Sequence, residues 1–204
     1  MKHANLNFNL GSINPSGIGT TVYRIRKRYI SAWPTIENDP DKDNTIEEAD
    51  LATYEGSFSL VEGKYWQKIY STQGKGSITP EVIGEDDCKM FNNKGVFSYP
   101  DLSPTALGFT KASVNDDFVY IVKAAGRYHV IGSEDYRSKT TTSGPGSGDA
   151  AGSAKGLNFE IECPDVTPLP VYVGNIVMED GTLNCSTGAF TPADPAEVVN
   201  DGEE

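Results

Sequence analysis

Histidine is scarce in this chain. His3 and His129 are the only two, which leaves little for proton transfer near neutral pH or for imidazole ligation of a metal. His129 falls in a strand-like segment, where a packing or surface role is expected. Cysteine is nearly as scarce: Cys88, Cys163 and Cys185 are odd in number, widely spaced and lack a C-x-x-C pair. That argues against a disulfide framework or a zinc knuckle and for three separate, mostly buried thiols. No apolar run is long enough to span a bilayer, so no membrane partner is expected. The start, Met1-Lys2-His3-Ala4, carries a base without an apolar stretch behind it. A Sec-type signal is therefore not expected, and assembly in the cytoplasm of the producing cell is. No G-x-S-x-G, H-E-x-x-H or Walker-type loop occurs. Gly144-Pro145-Gly146-Ser147-Gly148 lacks both the strand–turn–helix spacing of a phosphate cradle and a following Lys-Ser or Lys-Thr. Carboxylates are plentiful, but nothing pairs any two of them across a cleft. Neither catalysis nor a cofactor is expected.

Acidic side chains are also missing from the first 36 residues, where Lys2, Arg24, Arg26, Lys27 and Arg28 give +5. Against a whole-chain charge of −12, the remainder carries −17. Such a split suits complementary contacts between copies, or an acidic surface held clear of nucleic acid. It does not suit a grip on DNA, which needs many phosphates neutralised by Lys and Arg.

What the chain has in quantity is short strands punctuated by Gly, Pro, Asn and Asp. Residues 21–29 alternate, with Tyr23, Ile25 and Tyr29 on one side and Arg24, Arg26 and Arg28 on the other, until Trp33-Pro34 stops the strand. Residues 57–62 and 64–72 form a predicted hairpin around Glu62-Gly63, its second arm placing Trp66 and Tyr70 on one face and Tyr65, Gln67 and Ile69 on the other. Residues 77–83 and 95–99 are further strands. Ser103-Pro104 is an N-cap followed by proline at the first helical position, which predicts one helix over about 104–114, closed by Asn115-Asp116-Asp117. Residues 118–123 and 127–131 flank Ala124-Ala125-Gly126 as a second hairpin. Residues 138–154, rich in Ser, Thr, Gly and Ala, are predicted to be a flexible loop. Residues 157–162 alternate with Leu157, Phe159 and Ile161 inward. Residues 170–177 are another strand, and the segment after Phe190 an acidic, frayed tail. Together these predict one mainly β domain over residues 1–204, a β-sandwich or barrel of short antiparallel strands with one flanking helix and long loops.

Two polar clusters need weighing. In the acidic loop, residues 37–50, with a possible helical turn from Thr45, Asp39, Asp41, Asp43 and Asp50 sit at spacings that can wrap a hard cation such as calcium. Against it, Asn44 replaces the turn glycine, Asp50 replaces the bidentate Glu, and no helix precedes the loop; a solvated acidic loop is the other reading. Arg24, Arg26 and Arg28 form either a soluble strand face that discourages edge aggregation, a contact for acidic surface on a neighbouring copy, or a nucleic-acid contact.

The order of these features resembles the tail tube proteins of long-tailed phages and prophages, particularly those of gut Bacteroidales. It is carried by Tyr29-Ile30-Ser31-Ala32-Trp33-Pro34, then Gly56-Ser57-Phe58-Ser59-Leu60-Val61-Glu62-Gly63-Lys64-Tyr65-Trp66 and Ile83-Gly84-Glu85. Phe118-Val119-Tyr120-Ile121-Val122 follows, with Arg127-Tyr128-His129-Val130-Ile131-Gly132-Ser133. Lys155-Gly156-Leu157-Asn158-Phe159-Glu160-Ile161 and Pro168-Leu169-Pro170-Val171-Tyr172-Val173-Gly174 close the pattern. The likeness covers roughly residues 20–176. It implies a β-sandwich with a flanking helix, self-association into stacked and usually hexameric rings, and joined inner sheets lining a tube. Loops and termini would reach between rings, other tail proteins would be partners, and double-stranded DNA would pass through the lumen without specific binding. The location implied is the virion tail. The acidic loop and acidic tail depart from the pattern. The elements expected to meet neighbouring copies are Arg24, Arg26, Arg28 and the loop residues Ser143, Gly144, Gly146 and Gly148, with the basic N-terminal stretch against acidic loops of adjacent copies.

The rival reading is a β-sandwich binding module for carbohydrate or a receptor, with Trp33, Trp66, Tyr65 and Tyr70 as a sugar platform or, alternatively, as core. An enzyme built from scattered carboxylates is the third.

Overall fold

Phe118, Val119, Tyr120, Ile121 and Val122 are each no more than 1% exposed. A strand alternates its side chains between two faces, so five consecutive buried residues require a sheet covered on both sides. The computed structural model, which describes residues 1–42 and 45–193, shows how this is achieved.

Strands β1 (Ile18–Arg26), β2 (Ile30–Ala32), β3 (Thr53–Tyr54), β4 (Ser59–Leu60), β5 (Gln67–Tyr70), β6 (Ser77–Ile83) and β7 (Met90–Tyr99) precede the helix α1 (Pro104–Ser113). Strands β8 (Phe118–Ala124), β9 (Arg127–Ile131), β10 (Lys139–Gly146), β11 (Gly156–Asp165), β12 (Val171–Tyr172), β13 (Asn175–Met178), β14 (Gly181–Asn184) and β15 (Phe190–Pro192) follow it. The central sheet has the order β3-β12-β9-β8-β1-β5. All its pairings are antiparallel except β12 with β3. An antiparallel four-stranded sheet, β10-β11-β7-β6, covers one face, and the small sheet β13-β14-β15 lies over the other.

Each face of the central sheet has its own core. Phe118, Tyr120 and Val122 of β8 meet Phe97, Phe159, Ile161 and Cys163 of the four-stranded sheet. Val119 and Ile121, pointing the other way, meet Tyr54, Phe58, Trp66, Ile176, Met178 and Leu183. Full burial of one such side chain contributes about 1.5–3 kcal/mol. The two larger sheets pack tightly at Gly95, where a Cβ would stand 2.6 Å from Ile131 Cδ1. Any larger residue there would force them apart. The result is the expected mainly β sandwich with one helix among the described residues.

Several expected elements hold. The β8–β9 hairpin closes through Ala125 (φ 48°) and Gly126 (φ 82°), two positive-φ positions as a type I′ turn demands. The helix begins where the cap predicts, with Ala106 N donating to Ser103 Oγ at 3.4 Å. Strand β6 covers residues 77–83, and Leu157, Phe159 and Ile161 face the core.

Others need correction. The predicted strand over 21–29 ends at Arg26, and residues Lys27–Tyr29 form a 3-10 turn because Lys27 N bonds to Asp117 O at 2.9 Å. The predicted hairpin over 57–72 does turn at Glu62-Gly63, but its arms separate: β4 pairs with β2, and β5 with β1. The divergence follows from Trp66, whose ring is buried and whose backbone N–H donates to Val177 O at 2.9 Å. Tyr70 lies on the same side of the sheet as Trp66, opposite Ile69, but is 51% exposed. The strand expected over 95–99 is the end of the longer β7. Residues 139–146 of the predicted flexible loop are strand β10, held by β11 and by the Tyr120 and Thr140 hydroxyls at 2.8 Å; a run of threonines suits a half-buried strand. Residues 170–177 split into β12 and β13 at Gly174, where a Cβ would lie 2.2 Å from Gly56 O. Beyond Phe190, β15 is paired to β14, while the acidic tail over 194–204 lies outside the described residues.

Candidate assembly surfaces

Arg24 and Arg26 lie on one face of β1, both near the Phe118 ring, while Arg28 falls in the 3-10 turn that follows. Arg24 turns into the rim of the core between the two larger sheets, its guanidinium 3.4 Å from the Phe109 ring centroid and 4.7 Å from that of Phe118. Its Nε donates to Gln67 Oε1 at 3.1 Å and its Nη1 to Ser113 Oγ at 3.0 Å. Burial lowers its pKa to about 10, so it stays charged at neutral pH. Arg26 and Arg28 close on one carboxylate, with Asp116 Oδ2 at 3.1 Å from Arg26 Nε and 3.2 Å from Arg28 Nη2. Lys27 pairs with Asp117 at 3.8 Å. The basic run is thus largely answered by the chain's own turn after α1. A hydrogen bond from Arg26 holds the hydroxyl of the half-buried Tyr29 below the usual phenol range.

The four-stranded sheet has one buried face and one polar face. Outward rows run across it in register, Thr79–Lys94–Glu162–Lys139 and Ser77–Val96–Glu160–Thr141. Lys94 pairs with Glu81, Lys139 with Glu162 at 3.4 Å, and Ser143 Oγ donates to Glu160 Oε1 at 2.8 Å. Among these residues three carboxylates stand against two ammonium groups. Both edges, β6 and β10, have no strand beyond them among the described residues. Pro80 removes one donor from the seven-residue β6, a common way of blunting an edge. Of the loop candidates, Ser143, Gly144 and Gly146 are part of edge strand β10, and Gly148 lies in the turn that follows.

Strand β5 is the last strand of the central sheet, and a hollow opens on each side of it. Toward the four-stranded sheet lies a cleft of about 540 Å³ between β5 and α1, lined by Ile69, Tyr99, Ala106, Phe109 and Phe159. On the opposite face lies a groove of about 770 Å³ lined by Arg26, Lys64, Lys68, Glu179 and Asp180. Lys68 and Asp180 pair there at 2.5 Å. The four aromatics suggested as a sugar platform do not lie together on a surface. Trp66 is 3% exposed, and Trp33 packs edge-on against Phe58 at 5.1 Å. Tyr65 and Tyr70 are the exposed pair.

Comparison with protein-family models, curated proteins and solved structures returns no match. The chain's own geometry therefore carries the functional reading.

The acidic loop keeps its carboxylates for local turns. Asp39 Oδ1 accepts from Asp41 N at 2.9 Å and Asp50 Oδ2 from Glu47 N at 2.8 Å, while Asp43 lies outside the described residues. Among the described residues no group of three or more His, Cys, Asp or Glu side chains converges as metal ligands, and no helix is long and apolar enough to cross a membrane. The loop instead receives the N-terminus of its own chain: Lys2 N donates to Ile46 O at 2.8 Å, and His3 Nδ1 lies 3.1 Å from Glu48 Oε1. That contact holds the half-buried Glu48 carboxyl below its ordinary value. Two thiols are buried, and burial pushes Cys163 and Cys185 up to about 12; Cys88 is exposed.

One feature escaped the sequence reading. Every residue from Lys2 to Gly17 is exposed, among them Leu6, Phe8, Leu10 and Ile13 at 97%, 63%, 88% and 94%. The signal was there in Asn5-Leu6-Asn7-Phe8-Asn9-Leu10, a strand-like alternation inside a stretch, residues 4–23, without a single charge.

Proposed function

We propose that the chain is a non-enzymatic structural subunit that associates with copies of itself into rings, usually six-membered in the family it resembles, and that stacked rings form a phage tail tube for DNA. The four-stranded sheet is the observation that carries this reading. Its edge β10, with no strand beyond it among the described residues, and its edge β6, interrupted once by Pro80, suit edge-to-edge joining with neighbours, and its outward face suits the wall of a conduit. Such a wall should neither bind phosphate nor repel it strongly; interleaved Lys–Glu pairs with a slight acidic excess meet that requirement. The ordered sequence likeness over residues 20–176 directs the reading to the tail tube, to assembly in the host cytoplasm, and to other tail proteins as further partners.

Negative-stain electron microscopy of the purified protein, with light scattering across a concentration series, tests it. Rings or tubes with a central channel are expected. A protein that stays monomeric at high concentration and shows no annular particles would overturn the proposal.

A further inference from the structure

The exposed arm and the hollows beside β5 are matching halves. The arm, residues 5–17, carries neither helix nor strand; Asn7 N donates to Asn5 O at 2.9 Å, and the chain turns at Gly11 (φ 92°), where Ser12 N donates to Asn9 O at 3.1 Å. Drawn out as a strand, residues 5–10 would present Leu6, Phe8 and Leu10 in one row and Asn5, Asn7 and Asn9 in the other. On the body, β5 offers an edge with no strand beyond it among the described residues. A strand added to that edge sends alternate side chains to opposite faces of the central sheet. One face opens on the apolar cleft under α1, the other on the polar groove of Arg26, Lys64, Lys68 and Asp180. The apolar row fits the first and the asparagine row the second. The wall of the cleft is also cut back: Gly108 sits in the middle of α1 with nothing within 4 Å of where its Cβ would be. Glycine inside a helix sacrifices stability, and here it leaves room.

We infer that the arm of one copy adds as a strand to the β5 edge of a second copy, seating Leu6, Phe8 and Leu10 in the cleft between β5 and α1. Both halves belong to the same chain, so a second copy supplies what the first lacks. Within one copy the arm is tied down at Lys2 against the 46–48 segment and at Ile18 into β1, and it stands clear of its own body between them. Its lack of charge lets it approach a copy carrying −12 without electrostatic cost. A contact of arm to cleft joins two different patches, so it propagates from copy to copy and does not stop at a symmetric pair. The inference rests on the reading of the chain as a self-associating subunit.

The test uses the full chain and two variants: L6S/F8S/L10S in the arm, and A112W, which plugs the cleft from an exposed position on α1. Circular dichroism and melting curves establish that both are folded. In sedimentation analysis each variant alone is expected to associate about 100-fold or more weakly than the parent chain, because each buried Leu or Phe side chain lost costs tenfold or more. An equimolar mixture of the two is expected to regain arm-to-cleft contact as a 1:1 heterodimer that arms cannot extend further, since one partner has the only intact arm and the other the only intact cleft. If the arm variant assembles like the parent, or the mixture contains no heterodimer, the inference fails while the subunit reading stands. If the parent chain itself never associates, the subunit reading fails; protection of its arm amides in that monomer would show the arm seated in its own cleft.

Discussion

Arg24 holds a charge against two phenyl rings with no carboxylate paired to it among the described residues, and its neighbours Arg26 and Arg28 share Asp116. In the sequence the three are equivalent members of one alternating row. What separates them is where the strand ends, and that is decided by Asp116 and Asp117, about 90 positions away in the chain and invisible to a local pattern. The energetics should separate them too. Arg24→Ala removes the stacked guanidinium and its buried stem and is expected to cost about 2–3 kcal/mol, whereas Arg24→Met, which refills the space, is expected to cost under about 1 kcal/mol. Arg28→Ala should change stability by less than about 1 kcal/mol, as exposed ion pairs do. Urea titrations of the three variants check the order; equal losses for Ala and Met at position 24 would mean that hydrogen bonding, not packing, dominates there.

Strand β11 illustrates what an element reveals by itself and what it does not. Its alternation made Leu157, Phe159 and Ile161 legible as core, just as the β8–β9 turn and the Ser103-Pro104 cap were legible, because each is fixed by residues adjacent in the chain. The partners of β4 and β5 were not, since pairing between distant strands depends on which surfaces a buried Trp66 can reach. Nor was the end of β11, where Asp165 is buried with Oδ2 unbonded among the described residues and its pKa raised to about 6, chiefly by burial. A carboxyl that keeps its proton more tightly when folded adds stability at pH below its unfolded value near 4, and that contribution is lost as the pH rises through about 6. Stability is therefore expected to fall by up to about 3 kcal/mol between those limits from this group alone. Asp165→Asn, which keeps the acceptor for Val166 N, should flatten that slope and leave the protein more stable at pH 7.5. Denaturant unfolding at several pH values decides; an unchanged slope in the variant would assign the titration to another group.

In the assembly proposed above, every copy would bring a charge of −12, and the surfaces best suited to contact are those without charge. Screening removes the mutual repulsion while leaving apolar contact intact, the Debye length falling from about 10 Å at 0.1 M to about 3 Å at 1 M. Association is accordingly expected to strengthen as salt rises over that range, measured by sedimentation velocity; weakening would place the contact on ion pairs such as those of the basic corner. The arm and strand β8 mark the two extremes of this molecule, one fully wet and one sealed on both faces. Their amide hydrogens keep separate time. Those of β8 can exchange with solvent only when the whole structure opens, so their rate reports global unfolding without any denaturant. Those of residues 5–17 exchange almost as fast as in a free peptide until something covers them. A single exchange experiment on the unmodified chain thus carries two clocks, one for folding and one for assembly, and each can slow without the other.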